Sequence, residues 1–140
     1  MLAGMNPIVI AGTVFAAVAA LIHVYIFVLE SVQWSKESTR RIFGVRSEAD
    51  ADLMKPLAFN QGFYNLFLAI GVIVGVVLLV AGGAAQAGFA VAIFGLLSMV
   101  LAAAVLLASN PKLARSAAIQ GVAPLAGVVL LVLGAAQSGA

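Results

Sequence analysis

Four stretches of this chain, about residues 8–31, 57–81, 88–108 and 117–136, are apolar and long enough to cross a bilayer. A hydrocarbon core about 30 Å thick needs ~20 residues of helix. Inside lipid only helices and closed barrels satisfy every backbone N–H and C=O, and the alternating pattern of barrel strands is absent here. The sequence therefore predicts an all-α polytopic membrane protein, an antiparallel four-transmembrane-helix bundle forming one domain over residues 1–140. Charged residues make up only 9% of the chain, against ~25% in soluble domains. The chain has no cysteine, so disulfides and thiolate chemistry are excluded. The net charge of +2 gives nucleic-acid binding no support.

The breaks between the runs agree with this reading. Gly82-Gly83 opens the second loop, and Ser109-Asn110-Pro111 stops the third run, because proline cannot continue a helix. Short links after the second and third helices set neighbours antiparallel. Ser47-x-x-Asp50 has the form of a helix start. The second helix is thus expected to begin within the first loop, making that loop partly helical, and to bend at Pro56. The opening MLAGMNPIVIAG lacks the basic segment of a cleaved signal peptide, so the first run is expected to remain as a span.

The basic residues set the orientation. Lys36, Arg40, Arg41, Arg46 and Lys55 lie between the first two runs, and Lys112 and Arg115 lie between the last two; the second loop and both ends carry none. The positive-inside rule puts loops one and three in the cytoplasm and both termini on the other side of a plasma or inner membrane.

Polar residues collect at the same end. His23 and Glu30 come from the first helix, Asn60, Gln61, Tyr64 and Asn65 from the second, and Gln120 from the start of the fourth. His23 and Glu30 are two turns apart and share a helix face. Gln61, Tyr64, Asn65 and Leu68 follow helical spacing, and aligning the span ends puts Tyr64 level with His23 and the Asn60-Gln61 pair nearer Glu30. These seven residues are the candidate ligand-binding or proton-handling set. An ionised group deep in a span costs ~2.5–3.5 kcal/mol and seeks partners or water, so they are expected to face inward as a cytoplasm-facing cup.

Plainer roles stand beside this one. His23 could hydrogen-bond a neighbouring helix, and Asn60, Gln61 and Asn65 could serve as interhelical glue at ~0.6 kcal/mol per bond. A single histidine makes a metal or haem site a poor fit, and no cofactor is expected. Gly62 permits close approach of a backbone or ligand, and Gly71-x-x-x-Gly75 suggests tight helix packing. Trp34 reads as an interfacial anchor, and the TRRIFGVR stretch as a solvated or headgroup-facing segment.

The pattern from His23 and Glu30 through Trp34 and Arg41-Ile42-Phe43-Gly44 to Asn60-Gln61-Gly62-x-Tyr64-Asn65 resembles the domain-of-unknown-function 1304 family of small bacterial and fungal membrane proteins. Helices three and four match it in general character, with Gln120-Gly121 and Pro124. The resemblance implies a four-span inner-membrane protein whose polar residues belong to a shared site, and supplies no activity.

Three functions are compatible with the residues. In the first, the cup binds or transports a small amphipathic or cationic molecule; four spans are few for such a path, so a homo-oligomer is expected. In the second, His23, Glu30 and Tyr64 run acid–base chemistry, such as an isomerisation, on a lipidic substrate. In the third, the chain is a non-catalytic subunit of a membrane complex and the polar layer locks helix register.

Overall fold

The computed structural model describes residues 5–138, and every described element is helical. Helix α1 (Pro7–Phe27) continues into a π turn (Val28–Val32). A short α2 (Glu37–Ile42) lies in the first loop, followed by α3 (Glu48–Ala81), α4 (Ala85–Ser109) and, after a 3-10 turn (Pro111–Leu113), α5 (Ala114–Ser138). Four of these helical segments are long and apolar enough to span a membrane. In the bundle α1 packs on α3 and α5, and α4 packs on the same two, so the spans form a square with α5 closing against α1.

The local chemistry of the ends explains the elements. Asn6 caps α1 by accepting from the Ile8 amide at 2.9 Å, with Pro7 in the first turn. Ser47 caps α3, its hydroxyl accepting from the Asp50 amide at 3.0 Å and donating to the Asp50 carboxylate at 2.6 Å. The second helix thus starts in the loop, as its capping residues indicated. At ~1.5 Å per residue its 34 residues reach roughly 50 Å, so its first turns project beyond a ~30 Å core. Pro56 sits inside this continuous helix. Asn110 and Pro111 end α4 as expected.

The packing is inside-out. Interior positions carry small residues, including Ala16, Ala19 and Ala20 on α1, Ala69 and Val72 on α3, and Ala92 on α4, with Leu96, Met99 and Leu131 filling the remainder. The bulky aliphatic and aromatic residues point outward: Phe94 is 74% exposed, Leu21 67% and Val105 66%. A water-soluble bundle would reverse this distribution; here lipid is the solvent for the outer face.

A second, smaller core lies at the basic end. Trp34, Val45, Ala51 and Ala58 are buried together, with Phe43 packed against them. The Trp34 indole is 5.7 Å from the Phe43 ring, and its Nε1–H donates to the Ala51 carbonyl at 2.9 Å. Trp34 is therefore a core residue of a folded cap and not an exposed interfacial anchor, because loop one and the projecting turns of α3 enclose it. The TRRIFGVR stretch is likewise only partly solvated, since Thr39 and Val45 are buried. Loop one also reaches loop three, with Gly44 beside Leu113.

Candidate functional site

The site forms where α1 loses α-helical register. In the π turn the Gln33 amide donates to the Val28 carbonyl at 2.9 Å, five residues back. Such single π turns insert a residue and often mark functional positions. Glu30 sits in this turn, 8% exposed. Asn65 Nδ2 donates to Glu30 Oε2 at 2.9 Å and to the Gln61 carbonyl of its own helix at 3.1 Å. Ser31 donates across the same interface to the Phe59 carbonyl at 2.9 Å.

Gly62 makes this approach possible. A Cβ there would collide with the Ser31 hydroxyl and lie 3.1 Å from the Glu30 Cβ. The close approach that the sequence allowed at Gly62 is thus to the π turn itself. Beside it, Phe27 and Phe63 meet edge to face at 5.1 Å, and Phe63 continues to Phe59 at 5.0 Å and Phe67 at 6.1 Å. A recess of about 150 Å³ opens here, lined in part by Glu30, Ser31, Phe59, Ser35 and Lys55.

Of the candidate residues, the structure brings Glu30 and Asn65 into direct contact. His23 is also buried, 1% exposed, on the same face of α1. Its Nδ1–H donates to the Ala19 carbonyl of its own helix at 2.9 Å, and not to a neighbouring helix. Among the described residues no hydrogen bond joins His23 to Glu30 or Tyr64. The register explains why: Phe27 meets Phe63 and Ser31 meets Phe59. Continuing this antiparallel pairing puts Phe67, not Tyr64, level with His23. The expected alignment used span ends near residues 31 and 57, whereas α3 is continuous from Glu48.

Asn60, Gln61 and Tyr64 are exposed on α3, and Tyr64 is 62% so. The inward stripe runs through Ala58, Gly62, Asn65, Ala69 and Val72, which turns those three side chains away from the bundle axis. Gln120 is half-buried on α5. The α1–α5 contacts pair Val9 with Gly134, Gly12 with Leu131 and Ala16 with Gly127, and the same register sets Gln120 level with His23, without a hydrogen bond between them among the described residues. The paired glycines expected from Gly71 and Gly75 divide: Gly75 packs on Ala92 of α4, while Gly71 faces open space.

Sequence reasoning missed Ser31, Lys55 and the phenylalanine row. The spacing of Phe59, Phe63 and Phe67, one helical turn apart, was the available signal. Among the described residues no three histidine or acidic side chains gather as a metal site. Chemically, the site offers a buried carboxylate with one amide donor, a serine and an aromatic wall.

No curated protein and no solved structure gives a significant match to this chain. The model of the family described as "Protein of unknown function (DUF1304)" matches residues 17–132, which include α3, α4, the π turn and the Glu30–Asn65 contact, and the chain belongs to that family.

Proposed function

We propose that this protein binds a small cationic amphipath at the Glu30 recess, from the cytoplasmic leaflet of a plasma or inner membrane. The observation that carries this reading is the state of Glu30. It is a buried carboxylate in a span, it borders an open recess, and among the described residues it forms no ion pair. A buried charge without a counterion is costly, and intramembrane acids generally mark ligand or ion sites. Asn65 holds one carboxylate oxygen and leaves the other for an ammonium group. Phe59 borders the same recess, where a cation gains from an aromatic face, and Phe63, Phe27 and Phe67 extend the apolar wall for a tail. The seven-to-zero distribution of basic residues supports the cytoplasmic placement of this end.

His23 does not border the recess; it is buried and hydrogen-bonded within its own helix. In this reading it seals the bundle, and a transport path through it requires a second copy of the chain or opening of the helices.

The test is a thermal-shift series on the purified chain in neutral detergent, using dodecylamine and dodecanol as probes. Dodecylamine stabilises the wild type, dodecanol does not, and Glu30→Gln abolishes the difference while keeping an acceptor for Asn65. Equal shifts from both probes, or an undiminished amine effect in Glu30→Gln, would remove the proposal.

A further inference from the structure

A second cavity, of about 260 Å³, lies outside the Glu30 recess in the folded cap. Arg40, Lys55, Glu48 and Asp52 line it, with Trp34 and Ser35. Two cations and two anions thus surround one space, and among the described residues none of the four closes onto another as an ion pair. Arg40 Nε is buried without any hydrogen-bond partner. Arg40 is half-buried while Glu48, Asp52 and Lys55 are exposed, so opposite charges stand apart along the walls of an open groove. That arrangement suits a ligand which itself carries separated charges, because a dipolar guest meets a charge of opposite sign on each wall and offers an acceptor to the unpartnered Arg40.

We infer that this cavity takes the headgroup of a zwitterionic aminophospholipid, with phosphate on Arg40 and Lys55 and the primary ammonium on Asp52 and Glu48. The order of residues along α3 matches the order of groups in such a lipid. Glu48 is farthest from the bilayer, Asp52 follows, and Lys55 stands next to Pro56 and the exposed Leu57 where the apolar run begins. In an aminophospholipid the phosphate lies nearer the acyl chains than the ammonium does. Arginine's planar fork suits phosphate oxygens.

A primary ammonium fits better than a quaternary one. Recognition of quaternary groups relies on aromatic cages. Here Trp34 is the single aromatic side chain lining the cavity, and it is committed to Phe43 and the Ala51 carbonyl. Two carboxylates instead offer hydrogen-bond acceptors that only an N–H donor can use. The volume suits a headgroup, being slightly below the roughly 300–1,000 Å³ of whole-ligand pockets.

This site shares Trp34, Ser35 and Lys55 with the recess but is distinguished from it by its remaining walls. Arg40, Glu48 and Asp52 border only the outer cavity, while Glu30 and Phe59 border only the inner one. Native mass spectrometry of the full chain from detergent tests it, with phosphatidylethanolamine, phosphatidylcholine and phosphatidylglycerol of identical acyl chains. The wild type retains the ethanolamine lipid at least about fivefold over the other two, the effect of roughly one well-placed charge contact. Asp52→Asn brings the ethanolamine and glycerol lipids level, Arg40→Gln weakens both, and Glu30→Gln leaves the preference intact. Emission of Trp34, the one tryptophan in the chain, verifies that each variant keeps its cap folded. Soluble glycerophosphoethanolamine distinguishes the sources: displacement of the lipid identifies the headgroup as sufficient, and retention against it identifies the membrane-anchored lipid. Equal retention of the three lipids by the wild type, a preference for phosphatidylglycerol, or an unchanged pattern in both Asp52→Asn and Arg40→Gln would overturn the inference.

Discussion

At the scale of single residues, the contact that matters most is Asn65 to Glu30, 2.9 Å across α1 and α3. Two ways of breaking it have unequal costs. Asn65→Ala leaves a buried carboxylate without its donor, which costs about 1–3 kcal/mol. Glu30→Gln retains a carbonyl that accepts from Asn65 and removes the uncompensated charge, so its effect stays below about 1 kcal/mol. Unfolding in mixed micelles measures both; a Glu30→Gln loss exceeding that of Asn65→Ala would contradict this assignment of the bond. The pairing was partly legible, since Glu30 and Asn65 were both candidates on facing helices. Tyr64 was not separable from Asn65 by sequence, because adjacent helical residues differ by about 100° in direction and only the phase of the helix distinguishes them. In a bundle apolar on every face that phase is not written in the hydrophobic pattern. It is written in the small residues Ala58, Gly62 and Ala69, whose meaning emerges only once a neighbouring helix is in place.

At the scale of elements, helix contacts here depend on which small residues meet backbone. Gly71 and Gly75 look alike in sequence, yet a Cβ at Gly75 would stand 2.5 Å from the Ala92 amide nitrogen, and one at Gly71 meets nothing within 4 Å. Gly75→Ala therefore costs about 1–3 kcal/mol as overpacking, whereas Gly71→Ala, with open space for its methyl, costs nothing and gains up to about 1 kcal/mol of helix propensity. Comparable losses for the two would show that α3 and α4 do not pack in this register. The π turn provides a second case. Gly62→Ala drives a methyl into the Ser31 hydroxyl, and Ser31→Ala removes that hydroxyl together with its bond to Phe59. The double variant is less destabilised than the sum of the two, by a coupling of about 0.5–3 kcal/mol; strict additivity would place these side chains apart. The π turn itself had no sequence signature. Its extra residue helps carry the chain from Glu30 in the bundle to Trp34 in the cap, so the role of Trp34 was hidden for the same reason.

At the scale of the whole molecule, the span count, the antiparallel order and the shared end for loops one and three follow from run lengths and loop chemistry. All seven basic residues fall at that one end; the asymmetry concentrates charge around the two cavities and, by the positive-inside rule, is the basis of the orientation expected for the protein. The folded cap was less legible, because its core of Trp34, Val45, Ala51 and Ala58 is drawn from a loop and from turns of α3 outside the apolar run. Orientation is directly measurable, since the chain contains no cysteine and single cysteines can be placed at will. Gly83→Cys, in the loop between α3 and α4, reacts with an impermeant maleimide added to intact cells. Ser38→Cys and Ala114→Cys, at the basic end, react only after the membrane is opened. The reverse pattern would turn the molecule over and move both cavities to the outer leaflet, where a cation or an aminophospholipid headgroup would have to arrive from outside. Labelling of all three in intact cells would mean that the seven charges do not fix one orientation, and the cavities would then face both compartments in different copies.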